Sequence, residues 1–429
     1  MRIAIVGDLQ YEKGESISGI IDDINTLNPD NIIFLGDYGY FDGYGSPENF
    51  MDFAAAFKKL NCKNYIPLLG NHDWQWESGG GKLAKGTVIS GYTKAFGYPP
   101  KNRFLDFGTF CVFCINIDSP EMKDFKNPQE CYVSDADFAE IKAELEKVPD
   151  KPVIMITHAP PVGCALLTAP EVHIRYSNGY LDQEHDYTRW AELALKYRQI
   201  IMWLCGHYHI GHRHDGSLSI RDGLAYFLTG SATSLCRDGQ RHTRVIDFDG
   251  KIFHVRTYDH DKKVILEDDD YICGVKIRGA AETPTIEGKF SAGCGHVVKN
   301  GLKSGKGDTV YAMTDNGYLW EIDLSGKAAL GTLHFSEKYK LHGFETDGVY
   351  VWRRCGGHIF RQDCADPKRF MRQCDYKDCN FTEVDESDIR RHDDITECDG
   401  RPACTVGEYI CTAYNGADGR LYFEVTKKR

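Results

Sequence analysis

Oxygen and nitrogen donors stand at the ends of five apolar runs. Asp8 and Gln10 follow IAIV, Asp37 follows NIIFLG, and Asn71, His72 and Asp73 follow NYIPLLG. His158 follows PVIMIT, and His207 and His209 follow IIMWLCG. Carboxylates, an amide and imidazoles, with no cysteine among them, suit Mn, Fe or Zn in a reactive site rather than a structural zinc. They are too many for one tetrahedral ion. Two adjacent cations are the economical arrangement, and a carboxylate between them would relieve their repulsion. Asp37 is placed to be that bridge.

Such donors can converge only if the runs before them lie side by side. The intervals from Asp8 to Asp37 and from Asp37 to Asn71 are 29 and 34 residues, the length of a βαβ unit. Helical patterns fill the gaps at 17–27, 48–60, 136–146 and 187–197, and further strands are expected at 110–118, 225–233, 243–249 and 251–259. Near-continuous apolar strands belong to a sheet covered on both faces. In open α/β sheets, ligands collect outside the carboxyl ends of the strands. Singly, each polar residue has an ordinary reading: a carboxylate after strand and glycine can cap a helix, and His158 can be a hydrogen-bonded loop histidine. Their ordered repetition is what points to a metal site.

The motifs GDLQ, GDYGY, GNHD, THAPP and GHYH, in this order, resemble the set that marks the calcineurin-like metallophosphoesterases. The resemblance covers roughly residues 1–260 and implies a four-layer α/β/β/α sandwich. Position by position, it implies that Asp8, Gln10, Asp37 and His209 hold one divalent ion, and that Asp37, Asn71, His158 and His207 hold the second. His72 would face the phosphate as charge stabiliser or proton donor, oriented by Asp73. A water shared by two ions is acidic enough to supply hydroxide near neutral pH for in-line attack on phosphorus. Glycines before Asp37, Asn71 and His207 are expected to let the backbone turn tightly.

Gln10 departs from the family pattern, which has histidine there. An amide oxygen is a weaker, harder donor than imidazole, so this position favours Mn²⁺ over Fe or Zn. It also removes a proton donor that matters most for monoesters. A D-x-Q start is similar to the manganese-dependent ADP-ribose/CDP-alcohol diphosphatase branch, which implies a phosphodiester or diphosphate substrate, a nucleotide-linked small molecule among the candidates. Two other readings remain: a protein Ser/Thr phosphatase or general monoesterase, and a non-catalytic metal-binding scaffold.

The rest of the chain bounds these readings. At 429 residues it is too long for one ordinary core. The expected division is 1–265 for the phosphoesterase domain and 275–429 for a β-rich accessory domain, with the acidic run 267–270 at the boundary. The second part repeats an aromatic hairpin at 308–327, 347–363 and 407–425, as blades of a propeller or a small sandwich would, and is a candidate surface for a protein partner. A net charge of −12 argues against general nucleic-acid binding. No apolar run approaches the ~20 residues that cross a bilayer, and no signal sequence is visible, so a cytoplasmic location with reduced thiols is expected. Cys111, Cys114 and Cys205 read as core. His212 and His214 read as solvated turn histidines. His173, Arg175 and Tyr176 lie in an insertion placed to roof the site. A zinc knuckle from Cys374, Cys379, Cys398, Cys404 and His392 has loose spacing and is not the preferred reading.

Overall fold

A computed structural model of the chain describes residues 1–78, 82–119, 130–161, 179–182, 188–212, 217–280, 285–291, 296–315, 318–325, 328–333, 341–364, 382–390, 395–416 and 421–428. His173, Arg175, Tyr176, His214, Cys374, Cys379 and His392 lie outside them. Two compact units divide near residue 281.

In the first unit, elements follow in the order β1 (Arg2–Val6), α1 (Ser18–Leu27), β2 (Asn31–Phe34), α2 (Pro47–Phe57), β3 (Tyr65–Pro67), α3 (Asn71–Ser78) and α4 (Thr87–Phe96). Then come β4 (Arg103–Asp106), β5 (Cys111–Cys114), α5 (Asp135–Lys147), β6 (Val153–Thr157), α6 (Thr188–Lys196) and β7 (Ile200–Cys205). The unit closes with β8 (Leu218–Arg221), β9 (Leu224–Leu228), β10 (His242–Phe248), β11 (Ile252–Asp259) and β12 (Val264–Gly274).

The strands form two mixed six-stranded sheets, β12-β11-β10-β1-β2-β3 and β4-β5-β6-β7-β9-β8. Ile5, Ile33, Val112, Ile154, Leu204, Phe227 and Val255 meet in one core between the sheets. On the outer faces, Phe57 of α2 stacks on Phe34 with ring centroids 4.0 Å apart, and Trp190 of α6 meets Trp203 edge-on. This is the α/β/β/α layering. Cys111, Cys114 and Cys205 are buried within it.

Strand register fixes the height of the polar strand ends. β1, β2 and β3 are parallel neighbours in which Val6 pairs with Phe34 and Phe34 with Pro67. Asp8, Asp37 and Asn71 therefore leave the sheet at one edge. β6 and β7 run parallel in the second sheet, with Thr157 opposite Cys205, so His158 and His207 leave it together. The two edges meet where the His207 amide N–H donates to Asp8 Oδ2 at 2.9 Å.

The acidic run 267–270 lies inside β12, the edge strand paired with β11, rather than between domains. An edge strand tolerates charge because one side has no strand to exclude water.

The second unit continues with β13 (Gly288–Ser291), β14 (Val297–Ser304), β15 (Thr309–Thr314), β16 (Tyr318–Asp323), β17 (Ala328–Leu333), β18 (Leu341–Thr346) and β19 (Tyr350–Cys355). It ends with β20 (His358–Asp363), β21 (Thr382–Glu383), β22 (Glu397–Cys398), β23 (Arg401–Val406), β24 (Tyr409–Asn415) and β25 (Leu421–Lys427). Three antiparallel meanders result: β14-β15-β16-β17, β18-β19-β20-β21 and β13-β25-β24-β23-β22. Each repeated aromatic hairpin is the middle of its own sheet. Cys404 packs in the core with Trp320 and Phe423, which removes it from any zinc knuckle. No helix among the described residues is long and apolar enough to cross a membrane.

Candidate metal centre

The seven residues expected as ligands form one connected cluster. Gln10 Nε2 donates to Asp37 Oδ2 at 2.9 Å, and the same oxygen lies 3.4 Å from His158 Nε2. His158 Nε2 is 3.0 Å from Asn71 Oδ1 and 3.2 Å from His207 Nδ1. His209 Nε2 is 3.3 Å from Asp8 Oδ1. Donor atoms of Asp8, Asp37 and His158 all fall within 4.8 Å of one another. All seven side chains are buried, Asp8, Asp37, Asn71 and His158 completely.

The backbone is bent to bring them there. Asp8, Asp37, His207 and His209 all have left-handed φ angles of 39°, 56°, 69° and 53°, each costing roughly 1–3 kcal/mol for a non-glycine residue. The turning freedom expected of the preceding glycines is thus used at Gly36 alone (φ 101°), and the other left-handed positions belong to the ligands themselves. Gly70 and Gly206 serve by close approach instead. A Cβ on Gly70 would sit 2.1 Å from Asp37 Oδ1, and one on Gly206 would sit 2.6 Å from Asp8 Oδ2.

Hydrogen bonding then fixes the imidazoles. His158 Nδ1 lies 2.8 Å from the Leu35 carbonyl and His209 Nδ1 3.1 Å from that of Leu235. A carbonyl can only accept, so both Nδ1 atoms carry a hydrogen and both Nε2 atoms are the ones turned to the cluster. His158 Nε2 thus faces the oxygens of Asn71 and Asp37 and the Nδ1 of His207. Oxygen and nitrogen atoms gathered this closely need a proton or a cation among them. Burial opposes a proton on His158, but Asp37 and Asp8 attract one and raise its pKa to about 9. Burial likewise opposes charge on Asp37, yet the surrounding histidines hold it below the usual carboxylate range. The Asn71 amide nitrogen is wholly buried without a hydrogen-bond partner among the described residues. A divalent cation relieves this crowding, so the donor set fits a metal centre.

Asp73 takes a different part from that expected. Asp73 does not reach the His72 ring; its carboxylate accepts the backbone N–H groups of Asp37, Tyr38 and Gly70 at 2.9, 3.1 and 2.8 Å. It holds the two ligand loops in place, while burial and the Asp37 charge push its pKa up to about 7. The reason is local: α3 starts at Asn71, so Gln75, three residues on, lies under His72. Gln75 Oε1 is 2.6 Å from His72 Nδ1. The Tyr44 ring stands beside the His72 ring, centroids 5.0 Å apart.

Three contributors escaped the sequence reading. Gln75 would have emerged from continuing α3 through GNHD. Tyr44 lies on the loop after β2 and carries no distinguishing spacing. Cys131, completely buried, places its sulfur within 4.8 Å of ring nitrogens of His158 and His207, and nothing in the local sequence announces it. His212, expected in solvent, is half-buried against His242, with Nδ1 atoms 3.2 Å apart.

Part of the chain is similar to known proteins. Residues 1–211 match the model of the family described as calcineurin-like phosphoesterase. A probable glycerophosphodiester phosphodiesterase, GpdQ of Arcobacter nitrofigilis, is 26% identical over 210 residues, 47% of this chain and 67% of that protein. Similar solved structures include a Streptococcus pneumoniae protein described as a predicted phosphoesterase (TM-score 0.30, 11% identity, 64% of this chain and 97% of that one). Another is Vps29 of Entamoeba histolytica in complex with zinc (TM-score 0.32, 9% identity, 64% and 99%). Through residues 1–211 the chain belongs to the calcineurin-like phosphoesterases and is a metal-dependent phosphoric ester hydrolase.

Proposed function

We propose that this hydrolase cleaves a phosphodiester or diphosphate bond in a nucleotide-linked small molecule, at a pair of divalent ions. Asp8, Gln10, Asp37 and His209 would hold one ion, with Mn²⁺ favoured by the amide donor. Asp37, Asn71, His158 and His207 would hold the other. Bound there, the ions supply positive charge to the phosphoryl oxygens and lower the pKa of water.

The observation that carries the reading is the convergence of metal-ligating atoms around His158 Nε2, with Asn71 Oδ1, Asp37 Oδ2 and His207 Nδ1 all within 3.4 Å of it. The chain's own residues do the rest. Asp73 keeps the Asp37 and Asn71 loops together through three backbone N–H groups. Gln75 Oε1 holds the Nδ1 hydrogen of His72, which leaves Nε2 as the atom that takes up or gives a proton beside the leaving oxygen. Burial lowers the His72 pKa and so favours the neutral ring. Gln10 offers no proton at its position, which supports a diester or diphosphate over a monoester, and the phosphodiesterase name of the relative points the same way.

The test is a substrate panel with Mn²⁺, covering ADP-ribose, CDP-choline, a glycerophosphodiester, phosphopeptides and p-nitrophenyl phosphate, with Asn71→Ala as the inactive control. Cleavage of the diesters and diphosphates supports the proposal. Turnover of monoesters alone contradicts it.

A further inference from the structure

Resting on the two-ion reading above, we infer that Cys131 supplies a sulfur ligand to the ion on the Asn71–His158–His207 side. Its sulfur and the ring nitrogens of those two histidines lie mutually within 4.8 Å, and all three side chains are buried. An ion seated among them would have sulfur and nitrogen donors from three separate segments of chain.

Cys131 is held in place by the surrounding backbone. Its carbonyl accepts the N–H of Asp182 at 3.0 Å, and Asp182 Oδ1 in turn accepts the N–H of Val133 at 2.7 Å. The intervening Tyr132 carbonyl accepts the N–H of Asp118 at 2.8 Å, just beyond β5. Asp182 is itself clamped by Arg189 Nε at 2.9 Å and Trp190 Nε1 at 2.6 Å. The backbone that carries the sulfur is therefore fixed beside the histidines. A second observation points to a ligand on this side: Asn71, fully buried, turns its Oδ1 to within 3.0 Å of the same His158 Nε2, so an amide oxygen lies beside the sulfur and ring nitrogens.

The chemistry separates the two ion positions. On coordination the S–H bond breaks, its proton passes to water, and the sulfur's electron pair forms the bond to the ion. A thiolate favours softer ions, so this side selects Zn²⁺ or Fe²⁺ over Mn²⁺, whereas the Gln10 side keeps its preference for a hard ion. The centre is built for two unlike metals.

Co²⁺ reports sulfur ligation without turnover. With one equivalent added to the full chain, the wild type should show a near-ultraviolet sulfur-to-cobalt band. Cys131→Ser should lose that band, keep the visible cobalt bands and bind Co²⁺ about tenfold more weakly. A band that persists in Cys131→Ser, or none in the wild type beside normal visible bands, overturns the sulfur ligand and leaves the centre standing. No cobalt bands of either kind overturns both. Should Cys131→Ser not fold, X-ray absorption on wild-type protein with one equivalent of Zn²⁺ decides: one sulfur at about 2.3 Å is expected, and a shell of nitrogen and oxygen alone refutes the inference.

Discussion

The two sides of the proposed centre would share Asp37 but are built from different material. Asp8, Gln10 and His209 would form an oxygen-rich side whose ligands follow β1 and β7. Asn71, His158, His207 and Cys131 would form a side of mixed oxygen, nitrogen and sulfur donors around a single imidazole, with every side chain completely buried or nearly so. The difference teaches that two sheet edges meeting at one place can set up two sites of different softness. The parallel strands supply position, and the residue at each strand end decides which ion stays.

Removing the shared element should have the largest effect. Asp37→Asn takes the bridging charge from both sides, and kcat/KM on bis-(p-nitrophenyl) phosphate should fall by more than the roughly 10²–10³ that losing one preorganised charge stabiliser costs. Only a few-fold loss in steady-state assays would mean that Asp37 serves one side alone. Gln10→His makes the oxygen side resemble its neighbour. It should retain its metal about tenfold more tightly in chelator competition and raise monoester turnover relative to diester. An unchanged ratio would detach Gln10 from selectivity.

Smaller effects follow from residues one step away from the ions. Gln75→Leu frees the His72 ring but leaves it present, so kcat should drop about tenfold, a fraction of the 10²–10⁴ that a proton-transfer group contributes. Metal content should not change, which separates this residue from either side of the centre. The smallest effect concerns His242, whose surroundings are the reverse of those at His158. Burial, together with His212 and Arg244, lowers the His242 pKa to about 3. The unfolded chain therefore takes up a proton near the ordinary value of about 6.5, while the folded chain resists it. Stability at this position is present above about pH 6.5 and is lost as pH falls from there towards 3. His242→Asn should flatten the decline of Tm over that range, and an unaltered acid profile would assign the loss to other groups.

How far the sequence reveals this centre depends on how local the information is. β1, β2, β6 and β7 are legible because apolar runs of four to six residues have one use in a layered α/β fold, and the polar residues after them inherit their place. The start of α3 is not legible, because NHDWQWES lacks the spacing of apolar residues that marks an amphipathic helix. Missing that start assigned Asp73 to His72, whereas the helix turns Asp73 towards three backbone N–H groups and Gln75 towards the ring. Cys131 could not be read at all. It reaches the histidines only because Asp182 and Arg189, some fifty residues later, pin its segment. The acidic run in β12 misled for a related reason: charge on an edge strand and charge in a linker look alike until pairing is known.

The most direct test of the account is the metal content of the purified chain after dialysis, measured by mass spectrometry alongside hydrolysis of bis-(p-nitrophenyl) phosphate in Mn²⁺. About two ions per chain in the wild type, with turnover, is the predicted result. One ion or none, with no turnover, would contradict the two-sided centre and leave the strand-end cluster as a scaffold.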